Sequence, residues 1–427
     1  MLDFEAALAR AEASCGVIPK AAVAPIVAKC EAGLIELDEI AAQAGNAGNL
    51  AIPLIKQLTH LVAKGDADAA RYVHWGATSQ DVIDTGLVLQ LRDALDWIEQ
   101  RVGKLGDLLL RLSEQHRGTV VAGRTWMQHA VPTVYGLKVA VCLDAMVRHK
   151  ARLREIRRRV SVVQFGGAAG TLATLGEKGI EVSKALAGDL RLDLPALPWH
   201  AHRDRMAEVA TTLALLTGTL GKIARDVSLQ MQTEVAEVSE PAGEGRGGSS
   251  TMPQKRNPVG CAMILAAAIR VPGLTSTMLS AMLQEHERGL GGWHAEWETL
   301  SELVRLCAGA LRWTLEVVDG LEVYADRMKQ NLELTHGLIF AEAVSTRLAA
   351  KVGKAAAHKV LEAASRNAIR DKKHLRDVLS ADPAVAAHIG AKEMAELFDP
   401  ARQLGVANQF IDRAAAAFRQ ELSSESK

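Results

Sequence analysis

Four clusters of polar side chains in this 427-residue chain carry groups able to hold or protonate an anion. The first is His74-Trp75-Gly76-Ala77-Thr78-Ser79-Gln80-Asp81, in which hydroxyls and backbone N–H groups gather where a helix should begin. A helix start is a ready carboxylate site, because its first N–H groups lack partners and point outward. The second cluster spans 123–132 and places Arg124, Thr125, Gln128 and His129 around Trp126. The third, 199–205, holds His200, His202 and Arg203 at another expected helix start. Two histidines that close could ligate a metal, but no third or fourth ligand motif accompanies them, so no metal is expected. Arg203 is read there as an anion-binding cation. The fourth is the segment 241–258, followed downstream by 284–294 with Arg288. Ser249 and Ser250 among glycines can set a hydroxyl and several N–H donors around an oxyanion, and Lys255 and Asn257 can hold a carboxylate.

These clusters lie at the ends or breaks of long stretches with helical periodicity. Between 204 and 240 there is no proline, and Val209, Leu213, Leu216, Leu220, Ile223, Val227, Met231, Val235 and Val238 recur at helical spacing. A helix of about 30 residues is ~45 Å long and needs partners of similar length, as in an elongated bundle. Four further stretches read alike: 81–116 after a Thr78-Ser79-Gln80-Asp81 capping box, 132–160 opening on Pro132, 259–283 with a kink at Pro272, and 297–318. The glycine-rich runs 165–171 and 241–258 break the pattern. A long loop between long helices is either functional or a linker, and Met, Lys, Arg and Asn packed between prolines point to function. The resulting fold class is all-α, in three helical domains: 1–110, a central long-helix bundle at 111–345 carrying the 241–258 loop, and 346–427.

Composition narrows the class of function. Fifty basic and fifty acidic residues cancel, so the global basic field of a nucleic-acid binder is missing. Aromatic residues are 4% of the chain, which favours helix over sheet. Five scattered cysteines without a C-x-x-C pair suggest neither a disulfide framework nor structural zinc. The first residues include Asp3, Glu5 and Glu12 and lack the basic start of a signal peptide, and the apolar runs near 209–221 and 271–284 fall short of a membrane span. A cytoplasmic enzyme with no membrane or nucleic-acid partner is expected. Neither G-x-x-x-x-G-K-[ST] nor G-x-S-x-G occurs.

The run Gly248-Ser249-Ser250-Thr251-Met252-Pro253-Gln254-Lys255-Arg256-Asn257-Pro258 resembles the G-S-S-x-M-P-x-K-x-N-P signature of the fumarase/aspartase superfamily. The likeness extends in chain order to Thr78-Ser79, to 123–132 and to Arg203-Asp204-Arg205. It implies a homotetramer with a core of about twenty long helices and active sites where three subunits meet. Adenylosuccinate lyases in this superfamily carry Thr-His where this chain has Thr125-Trp126, and Glu where it has Ala262. Both members of that acid pair are replaced together, which implies changed chemistry. The segments 124–130, 165–173 and 284–297 are similar to those of the bacterial muconate-cyclising enzymes of the superfamily.

That resemblance implies conversion of 3-carboxy-cis,cis-muconate to 4-carboxymuconolactone in protocatechuate (β-ketoadipate) catabolism, without a cofactor. One substrate carboxylate adds to a conjugated double bond through an aci-carboxylate intermediate. In reverse the leaving group is a carboxylate, the anion of an acid of pKa ~4, and it departs without a proton. An amine leaving group needs an acid, so the loss of the pair is tolerable for lactonisation and damaging for a fumarate-releasing C–N lyase, the alternative reading. A catalytically silent binding protein on the same scaffold is a third. The resemblance implies Ser250, Lys255, His129 and His74 as catalytic residues. It implies Thr78, Ser79, Arg124, Gln128, Arg203, Ser249, Asn257 and Arg288 as binders of the tricarboxylate substrate.

Overall fold

The computed structural model describes residues 1–243, 247–248, 251–252 and 254–423, and Ser249 and Ser250 lie outside the described residues. The fold is all-α with two small ribbons. Its principal elements are α1 (Leu2–Ser14), α2 (Leu37–Ala47), α3 (Ala51–Ala63), α4 (Ser79–Gln115), β1 (Val120–Thr125), β2 (Gln128–Val134), α5 (Tyr135–Val160), α6 (Gly179–Leu190), α7 (Asp204–Gln230), β3 (Val238–Ser239), α8 (Val259–Ser280), α9 (Gly292–Asp319), β4 (Glu322–Val323), α10 (Ala341–Val352), α11 (Lys354–Asp371) and α12 (Ala407–Ser423). Short helical turns join them.

The chain divides into two compact units, and α4, α5, α7, α8 and α9 each contribute one part to each unit. The first unit contains 1–100, 152–215 and 269–308. One of its cores gathers Ala9, Ala13, Ile18, Ile26, Leu58 and Val62 from α1, α3 and the segment between them. The second unit contains 101–151, 216–268 and 309–427. There Val344, Leu348, Leu361, Leu375, Leu379 and Val385 bring α10, α11 and the short helices after them around a separate core. The periodic residues of α7 behave as their spacing requires: Val209, Leu213, Leu216 and Leu220 are fully buried.

Several boundaries differ from the sequence reading. α7 ends at Gln230, before Met231, Val235 and Val238, whose spacing continues the helical pattern. The chain turns at Ala236 (φ 50°), and the Glu237 N–H donates back to the Gln230 carbonyl. The carbonyls of Glu234 and Val235 are taken by Arg327 and Asn331, so tertiary donors replace the helical ladder. Pro132 does not open a helix. It sits in β2 opposite Ala122, in a two-stranded ribbon where a missing N–H is tolerated. α8 continues through Pro272 to Ser280. By length and composition alone this helix could cross a membrane, whereas the expectation weighed only the runs near 209–221 and 271–284; a third of its most apolar window is buried within the chain.

Candidate functional site

The residues named from the sequence fall into two groups, one in each unit. In the first unit the turn before α4 carries His74 and Thr78, and Ser79 is the first residue of the helix. Asp81 is the third residue of the helix, and its carboxylate accepts the Thr78 N–H at 3.0 Å, the return half of a capping box. The Thr78 hydroxyl does not cap. It accepts from Arg288 Nη1 at 2.7 Å, which joins the helix start to the loop preceding α9. Asp81 is fully buried and also accepts the N–H groups of Gly166 (3.1 Å) and Gly167 (2.9 Å), while its Oδ1 lies 2.7 Å from His200 Nε2. Gly167 has φ 67°, and a Cβ there would stand 2.9 Å from the Gly76 carbonyl oxygen, so only glycine allows this approach. One carboxylate thus locks the helix start, the 165–171 loop and His200.

His74 has Nδ1 2.7 Å from the buried Glu5 carboxylate. Burial alone would push the imidazole's pKa down; the charge and hydrogen bond of Glu5, with Asp81 adding, carry it above the ordinary histidine value.

Arg203, expected to bind substrate, is the buried counter-ion of two carboxylates. The residue is 2% exposed, and its guanidinium is held by Asp84 (2.7 and 3.1 Å) and Glu296 (2.9, 3.1 and 2.6 Å). Burial opposes its charge, but the two carboxylates outweigh burial and hold the cation well above the usual arginine range. Glu296 is shifted up by burial against the pull of Arg203. Gln80 and Trp293 donate to Asp84, and Gln284 donates to Glu296, so the ion cluster anchors both ends of the loop that presents Arg288.

In the second unit β1 and β2 pair as a hairpin, Arg124 opposite His129 and Thr125 opposite Gln128. Trp126 (φ 52°) and Met127 (φ 65°) form its two-residue turn, the positive-φ pattern that suits the twist of a hairpin. Trp126 is 98% exposed. The sequence reading places 123–132 at a break between long helices and expects no strand there; the turn carries neither Asn-Gly nor Asp-Gly. Gly123 supplies the ribbon's irregularity, since a Cβ would meet the Val131 carbonyl oxygen at 2.6 Å. Arg124 forms a two-pronged pair with Glu237 (2.9 and 2.6 Å), and Asn331 donates to the same carboxylate at 2.9 Å. His129 has a buried Nδ1 without a partner among the described residues, and burial followed by the nearby Arg124 lowers its pKa, which favours the neutral ring. Gln128 is exposed. Beside the hairpin lies a concavity of about 530 Å³ lined by Arg124, Trp126, Met127, Lys138, Lys222 and Asp226 among others. Burial first, and then Arg124, lowers the Lys138 ammonium below its ordinary pKa.

The described part of the 241–258 loop is tied down at its base. The Asn257 N–H donates to the Gly247 carbonyl (2.8 Å) and its Nδ2 to the Gly248 carbonyl (3.3 Å), so the amide expected to hold substrate also closes the loop. Arg256 grips Glu322 (3.1 and 2.7 Å) and the Glu240 carbonyl (2.6 Å). The Glu240 carboxylate caps α8 by accepting from Gly260 (2.9 Å) and Cys261 (2.7 Å). Lys255 is exposed, and so is Ala262. Sequence reasoning missed Glu5, Asp84, Glu237 and Glu296 and saw Asp81 only as a cap. The usable signal was acidic residues on faces that otherwise read as core, such as Asp81 and Asp84 one turn apart in α4.

Comparison with known proteins agrees with this architecture. Residues 1–273 match the family model described as "Lyase", and residues 337–414 match "Adenylosuccinate lyase C-terminus". The chain belongs to this lyase family, within the fumarase/aspartase superfamily. It is 56% identical to the 3-carboxy-cis,cis-muconate cycloisomerase of Pseudomonas aeruginosa over 97% of this chain and 91% of that one. It is 54% identical to the protein of the same name from Bradyrhizobium diazoefficiens, over 97% and 92%. The crystal structure of the 3-carboxy-cis,cis-muconate lactonizing enzyme from Pseudomonas putida superposes with a TM-score of 0.94 at 52% identity, covering 99% of this chain and 94% of that one.

Proposed function

We propose that the chain cyclises 3-carboxy-cis,cis-muconate to 4-carboxymuconolactone by intramolecular carboxylate addition. The observation that carries this reading is identity above half, over nearly the whole length, with proteins of that name. Trp126 and Ala262 support it: neither side chain can exchange a proton with a leaving group, and an oxygen leaving as carboxylate requires none. In the forward direction a carboxylate oxygen bonds to the double-bond carbon. The π electrons pass to the neighbouring carbon and its carboxylate as an aci-carboxylate, and that carbon then takes a proton.

In this proposal Thr78, Ser79 and Arg288 hold a substrate carboxylate, with Arg124 and Gln128 available to another. The loop residues Ser249, Lys255 and Asn257 stabilise the aci-carboxylate, and Ser250 handles the carbon proton. His74 and His129 are further proton carriers. Donors set around the developing charge are worth ~3–4 kcal/mol each. The proposal includes a cytoplasmic homotetramer with shared sites, organised as segments 1–110, 111–345 and 346–427. Exposed Met263, Ile269 and Leu279 on α8 support burial of that helix against other copies of the chain.

The test is loss of the ultraviolet absorbance of 3-carboxy-cis,cis-muconate with purified protein and no added metal or nucleotide. Ser250→Ala should lower kcat by at least about 100-fold with the oligomer intact; a wild-type rate would remove Ser250 from the chemistry. Release of fumarate from adenylosuccinate in place of muconate turnover would overturn the reading.

A further inference from the structure

Glu5 stands on α1, and nothing in its local sequence marks it for chemistry. Its side chain is 1% exposed, with Oε1 2.7 Å from His74 Nδ1. An ionised carboxylate only accepts hydrogen bonds, so Nδ1 carries the proton. Nε2 makes no hydrogen bond to a described residue, and 16% of the His74 side chain is exposed. The backbone at His74 is left-handed, φ 60°, a conformation a residue with a Cβ keeps only where its surroundings over-determine it.

A second carboxyl stands behind the first. Glu12, two turns along α1 on the same face, is fully buried, and neither oxygen has a partner among the described residues. Burial, and then the charge of Glu5, push it up to about 9, so it is neutral at pH 7. Glu12 therefore adds no charge beside the Glu5–His74 pair. The Met1 amino group and Cys30 interact with Glu5, Asp81 from α4 acts on His74, and Asp3 and Arg10 act on Cys30. Burial first and Glu5 second push the Cys30 thiol up to about 12, which keeps it uncharged.

We propose that Glu5 is a positioning residue for His74: it clamps the imidazole through Nδ1–H, so that Nε2 is the ring nitrogen offered to an anionic substrate. The inference rests on the placement of His74 at the active site proposed above. A ring held in this way presents Nε2–H either to a substrate carboxylate or to the carbon that takes the proton.

The test uses the full chain with ¹⁵N-labelled histidine. In the unaltered protein the neutral His74 ring should be the Nδ1–H tautomer. In Glu5→Gln its titration midpoint should fall by about one unit or more. The kcat/KM for 3-carboxy-cis,cis-muconate at pH 7 should then drop about tenfold, and its pH profile should move to lower pH. An Nε2–H tautomer in the unaltered protein, or an unmoved midpoint in Glu5→Gln, overturns the proposal. The tautomer measurement decides the matter if Glu5→Gln fails to fold. The two readings fail separately: a shifted midpoint without muconate turnover in either protein sinks the cyclisation and leaves the clamp, and turnover with an unmoved midpoint does the reverse.

Discussion

Replacing Arg203 with Met should open the first unit locally, and the size of the effect follows from the charges left behind. The guanidinium serves two carboxylates at once, Asp84 and Glu296, and all three side chains are buried. Methionine fills most of the volume but leaves both acids without their cation. Breaking a buried ion pair from one side costs ~3–5 kcal/mol, which is roughly a 100- to 4000-fold rise in the opening equilibrium constant. Hydrogen–deuterium exchange at pH 7.5, read on peptides around 79–88 and 292–300, should show that loss of protection.

The pH dependence has a definite sign. In the variant both carboxyls have folded-state pKa values raised above their unfolded values of ~4. The penalty is therefore full at neutral pH and shrinks as pH falls toward the unfolded values, because protonation removes the buried charge. At pH 5.5 the gap between variant and wild type should narrow. Equal protection in the two proteins at pH 7.5, or a gap that widens on acidification, would refute the assignment of Arg203 as an internal counter-ion.

Two further substitutions test the helix start. Thr78→Val removes the acceptor of Arg288 Nη1 and should lower kcat/KM for the muconate about tenfold, with thermal stability within about 0.5 kcal/mol of wild type; an unchanged steady-state rate would dissociate this contact from turnover. Asp81→Asn replaces an acceptor of four hydrogen bonds with a group that accepts at only one end. It should cost ~2–4 kcal/mol and free the 165–171 loop, seen as accelerated proteolysis there; wild-type resistance would show that the loop is held by other contacts.

The long helices were legible because their periodicity is local and uninterrupted, and their observed starts at 79 and 204 fall within two residues of those read from caps and breakers. The hairpin at 120–134 was not, since its turn uses Trp126 and Met127 in a backbone conformation that glycine or asparagine usually announces. The end of α7 was hidden for a different reason: just beyond it the carbonyls of Glu234 and Val235 are taken by Arg327 and Asn331, about ninety residues on. Arg203 shows the same limit at the site. A cation at a helix start looks free in one dimension, and its neutralising partners lie 119 residues before it and 93 after it.

The Asp81 hub has a consequence for how such a scaffold changes its chemistry. Three segments distant in the chain depend on one inward-facing acid, while the outward-facing groups beside it, His74, Thr78, Ser79 and Arg288, take no part in that knot except through the Thr78 amide. Side chains on the outer shell can be exchanged without loosening the socket that aims them. New substrates are then reached by altering what the socket displays, and the acid beneath it has little freedom to vary.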